Sequence, residues 1–201
     1  MERLIFQDNE RGGVMRGLIA YSSRRDNTKA FANYLYQYLK EDYNLDLKEI
    51  QEVADLNQYD FILLGCYRDR GFLSKESQKA LKKIKGPLLG IFANDPLAHM
   101  TNQRQEFACY LEGFLVGKPS LGVWVCPGRT SQASYEKAKM TPNFLLQRKR
   151  SRTRELQFRD KSFKDQLLEG LKTSRPAKAE ELQEALDYFK DSLSNRKVCS
   201  L

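Results

Sequence analysis

The sequence predicts an open α/β layer structure, a parallel sheet covered by helices on both faces, and three observations carry that reading. Short continuous apolar runs occur at residues 15–21, 60–66, 88–94 and 121–126, the pattern of strands buried on both faces. Between them lie stretches whose apolar residues return every three or four positions, as amphipathic helices require. Strand and helix alternate along the chain, the mark of parallel strands joined by crossovers. At 201 residues, 41% hydrophobic and 30% charged, the chain fits one domain with an appendage and can bury a core without disulfides.

Each element follows in order. Residues 1–14 hold only the apolar patch Leu4, Ile5 and Phe6, lack the core of a secretory signal, and read as a tail or an extra edge segment. "MRGLIAY", residues 15–21, turns polar at Ser22 and is the first strand. Phe31, Tyr34, Leu35, Tyr38 and Leu39 mark the helix after it, with Asp26 or Asn27 as its cap. Residues 44–50 alternate through Leu45 and Leu47 as a short strand near an edge, and "DFILLGC", residues 60–66, is the clearest buried strand. Residues 74–85 form a basic helix with Ala80, Leu81 and Ile84 facing inward, stopped by Gly86 and Pro87. "LLGIFAN", residues 88–94, is a further strand. Phe107, Tyr110, Leu111, Phe114 and Leu115 mark the next helix, ended by Gly117 and Pro119, and "LGVWVC", residues 121–126, is the last strand.

Past Cys126 the pattern changes. A short helix is expected near residues 133–139, and residues 15–144 make up the main domain. A basic connecting segment follows at 145–177, then a closing helix at 178–194, then a tail at 195–201. The closing helix rests on Leu182, Ala185, Leu186, Phe189 and Leu193, and is expected to pack on the same domain, over the sheet near the first strand.

The net charge of +8 is concentrated: residues 145–164 carry eight Lys or Arg against two Asp or Glu. Cys66, Cys109, Cys126 and Cys199 have neither close pairing nor metal-ligand spacing, which suits reduced thiols in a cytosolic protein, with Cys66 and Cys109 assigned to packing. Trp124, inside the last strand, is assigned to the core. The single histidine, His99, excludes a multi-histidine metal site, and no apolar run reaches the roughly 18 residues of a membrane span. No Ser/His/Asp order, paired-carboxylate motif or P-loop lysine supports hydrolysis.

Three stretches, "YSSRRDNTKAFANYL", "YDFILLGCYRDRGFLSKESQKALKKIKGPLLGIFAN" and "RPAKAEELQEALDYFKDSL", resemble flavodoxins, and most of all the small flavodoxin-like proteins that accompany bacterial bilirubin reductases. The resemblance covers most of residues 16–193. It implies a flavodoxin-like open five-stranded parallel sheet of order 2-1-3-4-5, with helices on both faces and a C-terminal helical extension. In that fold the ligand lies at the carboxyl ends of the strands flanking the switch point. The ligand loops are then residues 22–28, 67–74 and 94–100.

The family's phosphate loop runs hydroxyl, any residue, hydroxyl, Gly, Asn or another residue, then Thr; here it reads Ser23, Arg24, Arg25, Asp26, Asn27 and Thr28. Ser23, Asn27 and Thr28 match, whereas Arg25 replaces the second hydroxyl and Asp26 the glycine. Aspartate tolerates left-handed backbone, but it sets a carboxylate beside a dianion, which Arg24, Arg25 or Lys29 would have to neutralise. Two readings follow. Either the loop, with Ser22, holds phosphate through arginine, or it is a relic in which Asp26 caps the helix. In the second loop Tyr67 and Phe72 are candidates to cover one face of an isoalloxazine ring beside Arg68. Asp69, Arg70 and Gly71 form a turn that presents a backbone amide to flavin N5; the alternative keeps Phe72 in the core and Tyr67 on the surface. The third loop offers Asn94, Asp95 and His99. His99 either stacks on or protonates a flavin or has no chemical role, and with no other aromatic there the usual two-aromatic sandwich is incomplete.

The resemblance therefore implies flavin mononucleotide (FMN) as cofactor and a cytoplasmic electron carrier, accessory to a reductase rather than an independent oxidoreductase, with bilirubin reduction to urobilinogen as the setting. Residues 148–154, "RKRSRTR", offer a landing site for a redox partner with an acidic surface. Nucleic acid finds little support, because only Phe144 and Phe158 interleave the basic residues. The competing reading is a flavodoxin-like interaction module that has lost its flavin and docks to a partner. A flavin-dependent reductase of quinones or nitro compounds is a third, without a nicotinamide motif to support it.

Overall fold

In a computed structural model of the chain, the structure describes residues 15–24, 26–69, 72–142 and 161–198. Arg25, Arg70, Gly71, Cys199, the N-terminal tail and most of the basic segment, including residues 148–154, lie outside the described residues. Six strands, β1 (Arg16–Tyr21), β2 (Asn44–Glu49), β3 (Phe61–Asp69), β4 (Phe72–Leu73), β5 (Leu88–Asp95) and β6 (Ser120–Pro127), interleave with helices. The helices are α1 (Asn27–Leu39), α2 (Lys75–Lys83), α3 (Thr101–Glu112), α4 (Gln132–Met140), α5 (Lys161–Lys172) and α6 (Ala179–Val198).

The main sheet runs β2-β1-β3-β5-β6, all parallel, which is the expected 2-1-3-4-5 order once the two-residue β4 is set aside. That short strand pairs antiparallel with the end of β3 through Arg68↔Leu73 and Asp69↔Phe72. It was not expected, because its residues carry no alternation to read.

Successive strand residues point to opposite faces, so each apolar run feeds two cores. Leu18, Ile62, Leu64, Ile91 and Val125 meet Ala80 and Leu81 of α2 and Phe107 and Leu111 of α3 on one side. Ile19, Leu63 and Phe92 meet Phe31 and Leu35 of α1 and Ala185, Leu186 and Phe189 of α6 on the other. Helix α6 packs on α1 and β6 rather than over β1, where α1 already lies. Its Phe189 reaches across to Gly90, where a Cβ would stand 2.9 Å from the ring. Gly122 is needed for a different reason: its φ is 89°, and the Tyr188 hydroxyl fills the space a side chain would take. The pairing register shifts at this point, with Leu89 opposite Ser120 and Gly90 opposite Gly122, so Leu121 of β6 is the extra residue.

Several expectations change. Tyr38 stands on the open face of α1 with Tyr34, ring centroids 4.9 Å apart, and Ala32 takes the buried position instead. Cys109 is exposed, so it does no packing. Trp124 is half-buried at the edge of the core, its ring tilted against Tyr188 with the Arg104 guanidinium over it, rather than sunk in the core. Helix α5 falls inside what the sequence suggested was a connecting segment, since the charge of that stretch hides the half-buried Leu167, Leu168 and Leu171. Among the described residues no helix is long and apolar enough to cross a membrane, and no cluster of His, Cys, Asp or Glu could hold a metal ion.

Candidate functional site at the carboxyl ends of the strands

The loops after β1, β3, β5 and β6 gather at one end of the sheet because the strands are parallel and all exit there. The β1 loop enters α1 through Asp26, whose backbone is left-handed at φ 57° and ψ −9°. Aspartate holds the conformation a glycine would favour, but its side chain makes no capping hydrogen bond, and the first turn of α1 has no acidic residue. The first-turn N–H groups thus receive no acceptor from the cap side chain, a condition that suits a helix start to an anion. Asp26 occupies the cap position without the capping hydrogen bond that the relic reading gave it.

The hydroxyls of this loop point in different directions. Ser22 turns toward α2, its Oγ 3.2 Å from Ser74 Oγ and 2.9 Å from Ser77 Oγ, while its N–H donates to the Gly65 carbonyl at 3.0 Å. Ser74 also caps α2 by accepting from the Ser77 N–H, so Ser22 clasps the loop to that helix. Thr28 is 1% exposed and donates inward to the Cys66 carbonyl at 3.4 Å. Ser23 Oγ is enclosed and has no hydrogen-bond partner among the described residues. Asn27 Nδ2 donates to the Arg129 carbonyl at 3.2 Å, joining the start of α1 to the loop after β6. Arg24, exposed, lies 3.4 Å from Asp69 Oδ1, a weak surface pair.

Beyond Cys66, β3 does not become a loop at once. Tyr67 still pairs with Asn94 of β5, and Arg68 and Asp69 pair with β4, so the chain returns as a hairpin. Phe72, half-buried, sits edge-on to Tyr110 of α3 at 6.5 Å, which turns it toward α3. Arg68 donates from Nη1 to Asp95 Oδ2 at 2.8 Å, and its guanidinium lies 5.0 Å over the Phe107 ring. The other Asp95 oxygen accepts the Leu97 N–H at 3.2 Å. Burial pushes the Asp95 carboxyl up, against the lowering pull of Arg68.

Asn94 is 5% exposed; its Nδ2 donates to the Pro127 carbonyl at 3.1 Å and its Oδ1 has no partner. His99 lies with Nδ1 3.0 Å from the Pro96 carbonyl and Nε2 3.0 Å from Thr173 Oγ1. A carbonyl only accepts, so Nδ1 carries the proton. The β5 loop is therefore fastened to the end of α5, and Gly170 lets that helix come close, since a Cβ there would stand 2.8 Å from Leu97.

The sequence reading missed Thr130. Its N–H donates to Ser174 Oγ at 2.9 Å and its own Oγ1 is enclosed without a partner. The only signal was the polar break "PGRTS" just after the last strand. Four enclosed side-chain polar atoms lack a partner among the described residues, and three of them, Ser23 Oγ, Asn94 Oδ1 and Thr130 Oγ1, follow the ends of β1, β5 and β6 or lie at them. Buried polar groups are ordinarily satisfied, so three orphans at the ligand end fit a polar ligand there.

A parallel sheet of order 2-1-3-4-5 with polar loops gathered at its switch point defines the flavodoxin-like class of α/β proteins. The chain belongs to the flavodoxin domain family, whose model matches residues 18–166. A curated relative, the flavodoxin-like domain-containing protein BilS of Clostridioides difficile (strain CD3), is 26% identical over 138 residues, 64% of this chain and 77% of that protein. Among solved structures, Flavodoxin 2 from Bacillus cereus is 25% identical with a TM-score of 0.43, over 55% of this chain and 82% of its own. A flavoprotein from Lactobacillus acidophilus NCFM, in complex with FMN, is 18% identical with a TM-score of 0.45, over 56% of this chain and 93% of its own.

Proposed function

We propose that the chain binds FMN at the carboxyl ends of β1, β3 and β5 and relays electrons to or from a reductase, with bilirubin reduction as the setting its resemblance implies. The observation that carries this is the uncapped start of α1 beside the enclosed, unpartnered Ser23 hydroxyl. A helix N-terminus and a hydroxyl with no other partner suit a phosphate. Ser23, the Asn27 and Thr28 backbone and Arg25 would hold the phosphate, while Tyr67, Arg68 and Asp95 would border the ring. Bound FMN supplies the electron chemistry; the chain's residues bind it, orient it and set the charge around it.

The test is an absorption spectrum of the purified protein followed by fluorescence titration with FMN. Wild type is expected to bind saturably, and Ser23→Ala to weaken binding about tenfold, the loss of one hydrogen bond to a charged group. A wild type that neither carries nor quenches FMN overturns the reading. It would favour a flavodoxin-like module that docks to a partner without flavin, which the inward Thr28 hydroxyl and the packing of Phe72 on Tyr110 also suit.

A further inference from the structure

Asn94, next to the last residue of β5, carries its side chain on the α1 face of the sheet: Phe92, two residues earlier, packs on Phe31 there, while Ala93 between them belongs to the opposite core. The residue is 5% exposed, and its Nδ2 donates to the Pro127 carbonyl at 3.1 Å. A carbonyl only accepts, so the amide cannot be turned over, and Oδ1 is left enclosed without a partner among the described residues. Gly128 stands between Asn94 and the start of α1, since a Cβ there would lie 3.1 Å from Asn94 Cβ and 3.6 Å from Asn27 Nδ2. Glycine keeps that space clear. Asn27 Nδ2 in turn donates to the Arg129 carbonyl at 3.2 Å, which shares a peptide unit with Thr130, and Thr130 Oγ1 is also enclosed and unpartnered among the described residues. Two such atoms, one from the end of β5 and one from the loop after β6, thus lie beside Asn27 at the start of α1. Their chemistry narrows what can satisfy them. An amide oxygen only accepts, so Asn94 needs a donor, which a fully ionised phosphate does not have, whereas a hydroxyl both donates and accepts.

We propose that Asn94 and Thr130 bind the ribityl chain of the flavin, Asn94 Oδ1 accepting from one of its hydroxyls and Thr130 Oγ1 bonding to another, so that the site selects flavins that carry the polyol. The proposal rests on the FMN reading above. With the phosphate at the start of α1, the part of FMN that leaves the phosphate is the ribityl chain, and its hydroxyls both donate and accept. The ring N3–H, the other donor of oxidised FMN, is separated from the phosphate by the whole of that chain. A site built to hydrogen-bond a ligand hydroxyl rejects an analogue that lacks it, because the site's buried polar groups are then left unpaired. Asn94 and Thr130 are therefore specificity-determining residues for the polyol, distinct from those that hold the phosphate.

Three ligands with one ring supply the test. Riboflavin lacks the phosphate of FMN, and lumiflavin lacks phosphate and polyol alike. Dissociation constants for FMN, riboflavin and lumiflavin are measured by fluorescence titration of wild type, Asn94→Ala and Thr130→Val. Wild type is expected to bind riboflavin about tenfold or more tighter than lumiflavin, the worth of two hydrogen bonds. Each variant is expected to weaken FMN and riboflavin about fivefold, the loss of one neutral hydrogen bond, and to leave lumiflavin within about twofold. Asn94→Ala also removes the tie to Pro127, but a loosened loop would weaken all three ligands, lumiflavin included. Equal weakening of lumiflavin, weakening confined to FMN, or no weakening overturns the proposal; the first would assign the residues to the ring or to loop shape, the second to the phosphate. If Asn94→Ala does not fold, Thr130→Val decides it, since valine keeps the shape of the side chain and the bond from the Thr130 N–H to Ser174. A wild type that binds FMN but holds riboflavin no tighter than lumiflavin overturns this inference alone, whereas one that binds none of the three overturns the carrier reading and this inference with it.

Discussion

Thr28→Val separates a residue that matches a phosphate-loop motif from one that serves it. Valine keeps the shape and the β-branched stiffness of threonine at the start of α1, so only the hydroxyl is lost. In the structure that hydroxyl is buried and donates to the Cys66 carbonyl at 3.4 Å, the long end of the hydrogen-bond range. Losing a bond of this kind costs about 0.5–1 kcal/mol, partly offset by burying a methyl group. The urea unfolding midpoint should therefore fall slightly with an unchanged slope, and FMN affinity should stay within about twofold of wild type. A hydroxyl bonded to phosphate would give the opposite result: removing it would cost about 1.5–3 kcal/mol of binding, more than tenfold in affinity, with little change in folding stability. Weakening of FMN binding by tenfold or more at an unchanged urea midpoint refutes the assignment of Thr28 to the interior.

Three further outcomes follow from contacts elsewhere. Glu181 accepts both guanidinium nitrogens of Arg175 at 2.7 Å and the Lys178 N–H at 2.8 Å, and the Arg175 hydrogen bonds hold its carboxyl below the ordinary 4.5. A lowered folded-state value means that its stabilisation is full above pH 4.5 and is lost as pH falls through the folded value, so Glu181→Gln should flatten the acid limb of a stability profile measured by urea unfolding. Gly122→Ala must place a side chain at φ 89° against the Tyr188 hydroxyl, and thermal unfolding should report a loss of about 1 kcal/mol or more. Burial pushes the Cys66 and Cys126 thiols up to about 12, while Cys109 is exposed. In a Cys199→Ser background one thiol should therefore react promptly with a disulfide reagent at pH 8, and the other two only after unfolding.

The fold was legible because it depends on patterns the chain carries locally. The run Phe61 to Cys66 is apolar at every position except Gly65, as a strand between two helical layers must be, and its residues do divide between both cores. The end of β3 was not legible for the same reason. Tyr67, Arg68 and Asp69 look like loop by polarity, yet backbone pairing with Asn94 and with β4 keeps them extended. Pairing belongs to the main chain and leaves no trace in side-chain hydropathy. Helix α5 was hidden differently: its Leu167, Leu168 and Leu171 stand among Lys, Asp and Glu, so the stripe is thin and the charges dominate.

The loops at the carboxyl ends of the strands were legible in position, but the direction of their side chains was not. A polar break after an apolar strand marks a loop, and every loop after a parallel strand opens at the same end of the sheet, so Ser23, Asp95 and His99 could be assigned to one end once the resemblance supplied the strand order. Which way each side chain turns depends on partners far along the chain. Ser22 finds Ser74 and Ser77, Thr28 finds Cys66, and His99 finds Thr173, so these three candidate side chains are engaged within the fold. Ser23 Oγ, Asn94 Oδ1 and Thr130 Oγ1 find no partner among the described residues, and they come from three separate segments. An unsatisfied buried group is defined by what surrounds it, so no one-dimensional pattern could single these three out. Spelling alone singles out Ser23 and Thr28 alike, whereas of the two only the Ser23 hydroxyl lacks a partner among the described residues, and that difference is the better guide to a ligand.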